Sequence, residues 1–342
     1  MTEGHVAGTP LIDVQGLHVH FPVAHGGIVK AVDGVTLTVT PGQTLGIIGE
    51  SGSGKSTLGR ALVGLVRPTS GHVLHQGVNP FAMRRGEFAS HRRDYVTVFQ
   101  DPNSALNPRM TIGASIREPL DIAGLLSRSQ RDERVLELLE RVGLNPDYAS
   151  RYPHELSGGQ KQRANIARAL ACNPKLIVCD EVVAALDVSI QADILNLFLD
   201  LQRAFNLTYV FISHDLGVVS HVSDQIGVMY LGKLIECGPA GQLMRDPRHP
   251  YTKALLSAEP CAMPAALRTK KRLILKGEIP SPMNPPQGCR FRTRCWMARD
   301  VCSTEPLLRE IAPGQQAACH FADTTGVPVG AGETAAYAGA GA

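Results

Sequence analysis

Residues 49 to 57 have the types and spacing needed to hold a phosphate chain. They read Gly49-Glu50-Ser51-Gly52-Ser53-Gly54-Lys55-Ser56-Thr57, match G-x-x-x-x-G-K-[ST], and follow the short apolar run Leu45 to Ile48. Glycines let the backbone turn its N–H groups toward phosphates, Lys55 supplies positive charge, and the Ser56 hydroxyl can bind Mg²⁺. This strand-loop-helix context predicts a nucleotide site and disfavours a glycine turn without a ligand.

A second segment with an anion-binding end follows later in the chain. Leu156-Ser157-Gly158-Gly159-Gln160 precedes a helix that we predict over Gln160 to Ala171. Helix N-termini attract anions because their first N–H groups lack partners within the helix and the helix dipole is positive there. Taken alone, the segment is also compatible with an ordinary N-cap, in which Ser157 accepts a hydrogen bond from the first turn.

Acidic residues end a short apolar strand that we predict over Leu176 to Cys179. Asp180 can hold Mg²⁺ beside the phosphate loop, and Glu181 can orient or deprotonate an attacking water. His214, at the end of a strand predicted over Leu207 to Ser213, can contact the terminal phosphate and help to arrange the water. The alternatives are surface acids at a strand end and a structural histidine.

Two further residues at predicted strand ends complete the candidate site. Gln100 follows a strand predicted over Tyr95 to Phe99, and its uncharged amide can contact Mg²⁺ or water. Without the other motifs it would be a turn residue. Phe21 ends an early strand and can stack on adenine, with a core aromatic side chain as the alternative.

Hydrophobic periodicity predicts the elements that must position these residues. Alternation over Leu17 to Phe21 and over Val35 to Val39 predicts antiparallel strands with one buried face. The apolar spacing over residues 135–142 predicts a helix capped by Ser129 and ended by Gly143. The apolar strands before Asp180 and His214 are typical of a parallel sheet.

Length, charge and hydropathy limit the class of protein. The chain has 342 residues, 44% of them hydrophobic and 19% charged, and its net charge is +3. This length allows about two domains, and the charge is too small to indicate a nucleic-acid partner. No apolar stretch reaches the roughly 18 residues needed to span a membrane, so we expect a cytoplasmic protein. Prolines between residues 260 and 286 predict a linker, and residues 322–342 predict a disordered tail.

Half of the eight cysteines crowd into one late segment. They are Cys289, Cys295, Cys302 and Cys319. No C-x₂₋₄-C pair typical of structural zinc is present among them, and four thiolates on irregular loops suit a 4Fe–4S cluster. Arginines that can offset the cluster's negative charge lie between them, namely Arg290, Arg292, Arg294 and Arg299. Zinc, with His320 as a substitute ligand, and free thiols packed as small apolar groups remain alternatives.

In their order along the chain, these motifs resemble those of the ATP-binding cassette (ABC) ATPases over residues 10–240. The resemblance implies a need for ATP and Mg²⁺, with Ser56, Gln100 and Asp180 at the metal. It also implies that Leu156–Gln160 is the signature segment, which reaches across a head-to-tail dimer to the γ-phosphate bound by the other subunit. Asp187, in Ala185-Leu186-Asp187, would lie at the same dimer contact.

Three longer segments are similar to the ATPases of oligopeptide and dipeptide importers. They run from Val98 to Met110, from His249 to Leu256 and from Gly288 to Cys295. Ser56 to Arg60 and the signature segment look more like the second ATPase of such pairs. The C-terminal pattern is similar to that of related ATPases thought to hold an iron–sulfur cluster.

The resemblance implies an α/β fold of the P-loop NTPase class. Its parts would be a parallel sheet core around the phosphate loop, an antiparallel β subdomain, a helical subdomain that carries the signature, and a small Cys-rich C-terminal module. We expect the ABC ATPase domain over 10–258, its helical subdomain over about 102–165, the C-terminal module over 259–321 and the tail over 322–342.

The function implied is ATP hydrolysis that powers the import of peptides or similar solutes. The implied partners are a paralogous ATPase, two membrane permeases and an extracytoplasmic binding protein, with the chain at the cytoplasmic face of the membrane. The alternative is a soluble ABC ATPase that acts on ribosomes, DNA or iron–sulfur assembly. Val182, Val183 and Ala184 depart from the family pattern, and Ala184 lacks the hydroxyl common in this loop, which leaves cross-dimer communication open.

Overall fold

The computed structural model describes residues 9–23, 26–184, 186–258 and 273–323. Ala185, part of the predicted proline linker, and all but the first two residues of the tail predicted over 322–342 lie outside these ranges. The strands, in chain order, are β1 (Ile12–Val23), β2 (Gly27–Val39), β3 (Thr44–Ile48), β4 (Ser70–His75), β5 (Tyr95–Val98), β6 (Leu176–Asp180), β7 (Thr208–Ile212), β8 (Gln225–Tyr230), β9 (Lys233–Pro239), β10 (Arg309–Ala312) and β11 (Gln315–Ala317).

The helices alternate with these strands. They are α1 (Lys55–Leu62), α2 (Arg85–His91), α3 (Pro102–Ala105), α4 (Ile112–Ala123), α5 (Arg128–Arg141), α6 (Gly158–Leu170), α7 (Val188–Phe205), α8 (Leu216–Val222), α9 (Ala240–Arg245) and α10 (Pro250–Ala258). Among the helices in the described ranges, none is both long enough and apolar enough to cross a membrane.

The N-terminal strands form a three-stranded antiparallel sheet in the order β2-β1-β4, which confirms the antiparallel prediction. A bulge in β1 separates Val14 from Leu17 and keeps both side chains on the buried face. β4 is the third strand of this sheet and pairs antiparallel with β1.

The second sheet has the order β10-β11-β9-β8-β3-β7-β6-β5. The five strands from β8 to β5 run parallel, and β3, β6 and β7 are buried along their whole length. β9 runs antiparallel to β8, so the sheet is mixed and the expectation of a parallel core is incomplete. Leu231 and Gly232 join β8 to β9 with φ of 44° and 80°, and such a two-residue turn returns the chain antiparallel.

Two predicted helix starts are wrong because of capping. α5 begins at Arg128, since Ser127 and Gln130 form a capping box, and Ser129 lies inside the helix with its hydroxyl on Glu133. α6 begins at Gly158 rather than Gln160. The Ser157 hydroxyl accepts a hydrogen bond from the Gln160 N–H, which draws both glycines into the first turn.

The C-terminal segment, which we define as residues 273–323, packs directly on the cassette. β11 pairs with β9 and thereby extends the main sheet. Phe291 is buried against Tyr230 and Tyr251, with ring centroids 5.3 and 5.4 Å away. This segment therefore shares a hydrophobic core with β8 and α10.

Asp33 on β2 connects the N-terminal sheet to the C-terminal segment. Its carboxylate lies 2.8 Å from His18 Nδ1 and 3.0 Å from His20 Nε2, and the Arg290 guanidinium pairs with its other oxygen. Burial raises the pKa of Asp33, but Arg290, the two histidines and Lys233 outweigh burial and hold the pKa well below its usual range. The carboxylate therefore remains charged where the two parts of the chain meet.

Asp33→Asn removes this charge and keeps the size of the side chain. We expect the variant to be less stable at pH 7 by about 1–3 kcal/mol, because the buried Arg290 loses its charged partner. The folded-state pKa of Asp33 lies below its unfolded value of about 3.9, so the ion pairs stabilise the protein above that pH. Their contribution is lost as the pH falls, and the difference in melting temperature should shrink below about pH 4.

Melting temperatures of the two proteins at several pH values test this expectation. Asp132→Asn is the matched control, because its pair with Arg117 is exposed and such pairs stabilise by at most about 1 kcal/mol. Equal melting temperatures for wild type and Asp33→Asn at pH 7 would show that the buried pair adds no stability.

Candidate functional site

The phosphate loop lies at the carboxyl edge of the main sheet. It connects the buried strand β3, between β7 and β8, to α1. Gly54 is the N-cap of α1 and offers no side-chain cap to the first turn. The N–H groups at this helix end are therefore available to an anion, in the crevice where open α/β sheets bind ligands.

Two glycines of the loop approach neighbouring backbone so closely that no side chain fits. A Cβ at Gly49 would lie 2.2 Å from the Met229 carbonyl oxygen, and one at Gly54 would lie 2.0 Å from that of Ala31. Gly54 also has φ of 102°, which favours glycine. The loop is thus pressed between β8 and β2, which fixes its position.

The Lys55 side chain folds back over the first residues of the phosphate loop. Its Nζ donates to the carbonyl oxygens of Gly49 and Glu50 at 2.7 and 3.0 Å. Burial lowers the pKa of Lys55, while the carboxylates of Glu181, Asp180 and Glu50 oppose that effect. The ammonium group is thereby held where the loop can present it to a bound phosphate.

Ser56 and Asp180 come together although they are far apart in sequence. The Ser56 hydroxyl donates to Asp180 Oδ1 at 2.8 Å. Burial raises the pKa of Asp180, whereas the Ser56 hydrogen bond lowers it. A hydroxyl beside a carboxylate is an oxygen donor set that Mg²⁺ prefers. Gln100 is exposed just beyond β5, and within the described residues no hydrogen bond connects it to this pair.

Glu181 and His214 also meet at the same sheet edge. Each lies just beyond its strand, β6 or β7, and His214 Nδ1 is 3.4 Å from Glu181 Oε1. Glu181 has φ of 52°, which is uncommon for a residue with a side chain and is often found at functional sites. The backbone N–H of Glu181 donates to Ile212 O at 2.9 Å, which ties the turn to β7.

Phe21 lies on β1, where it pairs with Val29 of β2. Its side chain is 40% exposed, so the alternative of a core aromatic is not supported by its burial. An exposed ring on the N-terminal sheet is available for stacking against a planar ligand.

The signature segment lies at the start of α6, in the helical subdomain. A Cβ at Gly159 would lie 2.9 Å from Ile190 Cγ2, so this glycine allows α6 to approach α7 closely. Leu156 is buried, whereas Ser157 and Gly158 are exposed. In the described part of the chain, no hydrogen bond or ion pair connects Leu156–Gln160 to the phosphate loop.

The turn between Glu181 and α7 contains the residues that depart from the family pattern. Val182 and Val183 are buried core residues, and Ala184 is exposed with its N–H on Glu181 O at 3.1 Å. Asp187 is the N-cap residue of α7, and its carbonyl accepts from the Gln191 N–H. Of the three residues that depart from the family pattern, only Ala184 is therefore exposed at the surface of this turn.

The four late cysteines lie near one another, and the backbone organises them. The Cys289 N–H donates to Cys302 O at 3.0 Å. Backbone N–H groups also donate to the sulfurs of Cys295 and Cys319, each at 3.4 Å. Burial raises the pKa of Cys289 to about 11 and that of Cys295 to about 12, and the neighbouring thiols add to both shifts.

The sulfur positions bear on the zinc alternative. Four sulfurs around one zinc at about 2.3 Å lie about 3.8 Å apart. Among the described residues, no three of these sulfurs lie within 4.8 Å of one another. The thiols as placed are therefore not gathered at the spacing of a four-coordinate zinc site. His320 donates from Nε2 to Thr304 O at 3.0 Å, which leaves Nδ1 as the ring nitrogen that could bind a metal.

Three of the four arginines that were expected to offset a cluster's charge have other partners in this structure. Arg290 pairs with Asp33, Arg294 pairs with Glu50, and Arg299 lies over the Phe321 ring. Their carboxylate and aromatic partners provide a stronger attraction than neutral thiols do.

The sequence did not predict that two downstream residues contact the phosphate loop. Arg294 forms an ion pair with Glu50, and Tyr251 Oη accepts a hydrogen bond from the Glu50 N–H at 2.8 Å. Tyr251 belongs to a segment noted for its resemblance to peptide importers, and Arg294 was expected to offset the charge of a cluster. Neither residue type nor hydrophobic periodicity predicts contacts between residues that lie so far apart in the sequence.

Comparison with known proteins gives matches over most of the chain. The family model described as ABC transporter matches residues 32–184, and the one described as oligopeptide/dipeptide transporter, C-terminal region, matches residues 235–302. The oligopeptide transport ATP-binding protein AppF of Bacillus subtilis is 49% identical over 319 residues, which cover 91% of this chain and 97% of AppF. OppF of Salmonella typhimurium, an oligopeptide transport ATP-binding protein, is 50% identical over 308 residues, covering 87% of this chain and 92% of OppF.

Solved structures share the fold of about two thirds of the chain. A dimeric post-hydrolysis form of the ATP-binding cassette MJ0796, bound to ADP and Pi, superposes with a TM-score of 0.61 at 31% identity. It covers 67% of this chain and 98% of that one. CbiO1 of Clostridium perfringens, part of the transporter complex cbiONQ, has a TM-score of 0.62 at 26% identity, covering 70% and 92% of the two chains.

Proposed function

This chain belongs to the ABC transporter family, and we infer that it is the ATP-hydrolysing subunit of a peptide importer. The observation that carries this function is the convergence of the phosphate loop, the Ser56–Asp180 pair and the Glu181–His214 pair at one sheet edge. The match of residues 235–302 to the peptide-transporter C-terminal region excludes the soluble alternative. Which peptides are carried is a property of the partners that bind them.

We propose that the phosphate loop and α1 bind the phosphates of ATP, with Lys55 beside them and Phe21 against the adenine. Ser56, Asp180 and Gln100 would hold Mg²⁺, which when bound offsets the charge of the phosphates. The Ser56–Asp180 hydrogen bond supports the first two ligands, because both oxygens already face the same point.

Glu181 is the residue that we propose as the general base. Its left-handed backbone aims the side chain off the end of β6, beside His214. A carboxylate can accept the proton of an attacking water, and a neighbouring imidazole can hold that carboxylate and the γ-phosphate in register. Electrostatics and positioning supply most of the catalysis in phosphoryl transfer.

We propose that a second cassette completes the site, because no hydrogen bond or ion pair between described residues connects residues 156–160 to the phosphate loop of the same chain. We propose a head-to-tail dimer in which each Ser157 faces the phosphates held by the other chain, with Asp187 at the contact. The solved relatives include dimeric cassettes. The resemblance to the second ATPase of importer pairs supports a paralogous partner rather than a second copy.

The likeness to oligopeptide transport ATP-binding proteins implies membrane permeases and a solute-binding protein as partners. We propose that the permease contacts the segment after Gln100, in a complex at the cytoplasmic face of the membrane. Phe99 is 41% exposed, and Asn107, Pro108 and Arg109 are exposed beside it. An exposed aromatic side chain surrounded by polar residues is typical of a surface that binds a protein partner.

Glu181→Gln removes the base and keeps the side chain's size. In a complex with its permeases, ATP binding should persist while ATP hydrolysis and peptide uptake fall by a factor on the order of 10² or more. The exposed Glu140→Gln on α5 serves as the control and should retain activity. A hydrolysis rate within a few-fold of wild type would remove Glu181 from this role.

Ser157→Arg tests the dimer, because a bulky cation would occupy the place of a close phosphate contact. The isolated chain should bind ATP with nearly unchanged affinity, since its own loop is intact. In the assembled complex, dimer closure should fail, so ATP hydrolysis and peptide uptake should be lost although both cassettes still bind ATP.

Ser129→Arg, an exposed position on the same subdomain, is the matched control. Mass spectrometry of the purified complex would identify the partner. A complex that contains only copies of this chain, or loss of ATP binding by the isolated Ser157→Arg variant, would contradict the heterodimer or the cross-dimer role respectively.

We propose that Cys289, Cys295, Cys302 and Cys319 hold a 4Fe–4S cluster. The proximity of the four thiols and the two N–H···S hydrogen bonds support this assignment, because backbone donors stabilise thiolates that bind iron. Such a cluster would join irregular loops that have little core of their own. We assign it no part in ATP hydrolysis.

Anaerobic purification should yield about four irons and four sulfides per chain, with visible absorption that bleaches on reduction. Cys295→Ser should lower the iron content, whereas Cys172→Ala, a control within the cassette, should not. Zinc without sulfide would contradict the cluster, and protein free of metal would favour packed thiols.

A further inference from the structure

Glu50, the second residue of the phosphate loop, is held by a bidentate ion pair from the C-terminal segment. Arg294 donates from one terminal nitrogen to Glu50 Oε2 at 2.7 Å and from the other to Oε1 at 3.1 Å. Such paired hydrogen bonds fix orientation as well as distance. The Glu50 side chain is 25% exposed, and that of Arg294 is 7% exposed. The contact is therefore shielded from screening by solvent.

The surroundings of Arg294 leave it little freedom to move away. Its guanidinium lies over the Tyr230 ring, 6.0 Å from the centroid, and it donates to the Tyr230 hydroxyl at 3.5 Å. The hydrogen bonds to Glu50 raise the pKa of Arg294 further above its ordinary value. The Tyr230 side chain on β8 thus packs against the Arg294 guanidinium and helps to hold it in place.

Tyr251 contacts the same loop residue, Glu50, at the Glu50 backbone N–H. Its hydroxyl accepts from the Glu50 N–H at 2.8 Å, and its ring is fully buried between Tyr230 and Phe291. Buried tyrosine hydroxyls usually find such a partner, so the contact both satisfies the hydroxyl and fixes the loop.

The turn before Tyr251 is itself fixed by a buried carboxylate. Glu236 on β9 accepts from the N–H groups of Arg248 and His249 at 2.7 and 2.9 Å. His249 Nδ1 then accepts from the Tyr251 N–H at 3.0 Å. The tyrosine is therefore presented to the phosphate loop by a rigid base.

We propose that Arg294 and Tyr251 are positioning residues for ATP turnover, and that both act through Glu50. The inference rests on the proposed hydrolysis of ATP at residues 49–57. Without Arg294, the Glu50 carboxylate would stand uncompensated in the loop that must accept a triphosphate, and like charges repel. Without the Tyr251 hydroxyl, the Glu50 N–H would lose its acceptor and the loop its anchor.

The same contacts make the nucleotide site depend on the cysteine-bearing segment. Arg294 immediately precedes Cys295, and Phe291 packs against Tyr251. Any change that displaces residues 289–295 would release Glu50. Both of the C-terminal segments that resemble importer ATPases, residues 249–256 and 288–295, therefore contain a residue that contacts Glu50 of the phosphate loop.

The test uses the full-length chain in complex with its permeases, with ATP hydrolysis measured as a function of ATP concentration. Arg294→Ala should raise the KM for ATP about tenfold, with a smaller change in kcat, because ground-state binding of ATP is weakened. Arg292→Ala is the matched control, since Arg292 forms no ion pair with any described residue, and its KM should stay within about twofold of wild type.

The double variant Glu50→Gln/Arg294→Ala separates a positioning role from a structural one. Removal of the uncompensated charge should return the KM to within about threefold of that of Glu50→Gln alone. Tyr251→Phe keeps the ring packing and should also raise the KM, which provides a readout if Arg294→Ala folds poorly.

Three outcomes would overturn the proposal: a wild-type KM in Arg294→Ala, a wild-type KM in Tyr251→Phe, or a KM in the double variant no lower than in Arg294→Ala. A wild-type complex that does not hydrolyse ATP would instead contradict the proposed function. The two failures are therefore distinguishable.

Discussion

The approach of the phosphate loop to two neighbouring backbones is the constraint on which the site depends. Gly49 and Gly54 touch the carbonyls of β8 and β2, and no other residue type fits there. Because the loop is fixed to the end of β3, the strand order decides which residues surround it. β7 and β6 follow one another on one side of β3. The ends of these strands therefore place His214, Asp180 and Glu181 next to the phosphate loop.

The sequence predicts this part well because each chemical group follows an apolar strand. Asp180, Glu181 and His214 all lie where a parallel sheet collects strand ends, and local pattern suffices to place them. Local pattern fails where two signals compete. Ser127 and Ser129 both precede the same helix, and the capping box with Gln130 decides in favour of Ser127.

Long-range contacts are the other part that the sequence does not reveal. The antiparallel return of β9 depends on a two-residue turn with no strong turn residue before its glycine. The contact of Arg294 with Glu50 joins residues 244 positions apart, and neither side chain is unusual for an exposed loop. Only folding shows that the Arg294 guanidinium is buried and that Asp33 pairs with Arg290 while Glu50 pairs with Arg294.

The N-cap of α6 leaves one atom of Ser157 free for the proposed contact between two cassettes. A serine hydroxyl has two acceptor lone pairs and one donor hydrogen. Ser157 uses a lone pair to receive the Gln160 N–H, while the Gln160 side chain accepts from the Ser157 backbone N–H. The hydroxyl hydrogen remains available to a phosphate oxygen. An anion could therefore bind at this helix end without breaking the capping bonds or unwinding the first turn.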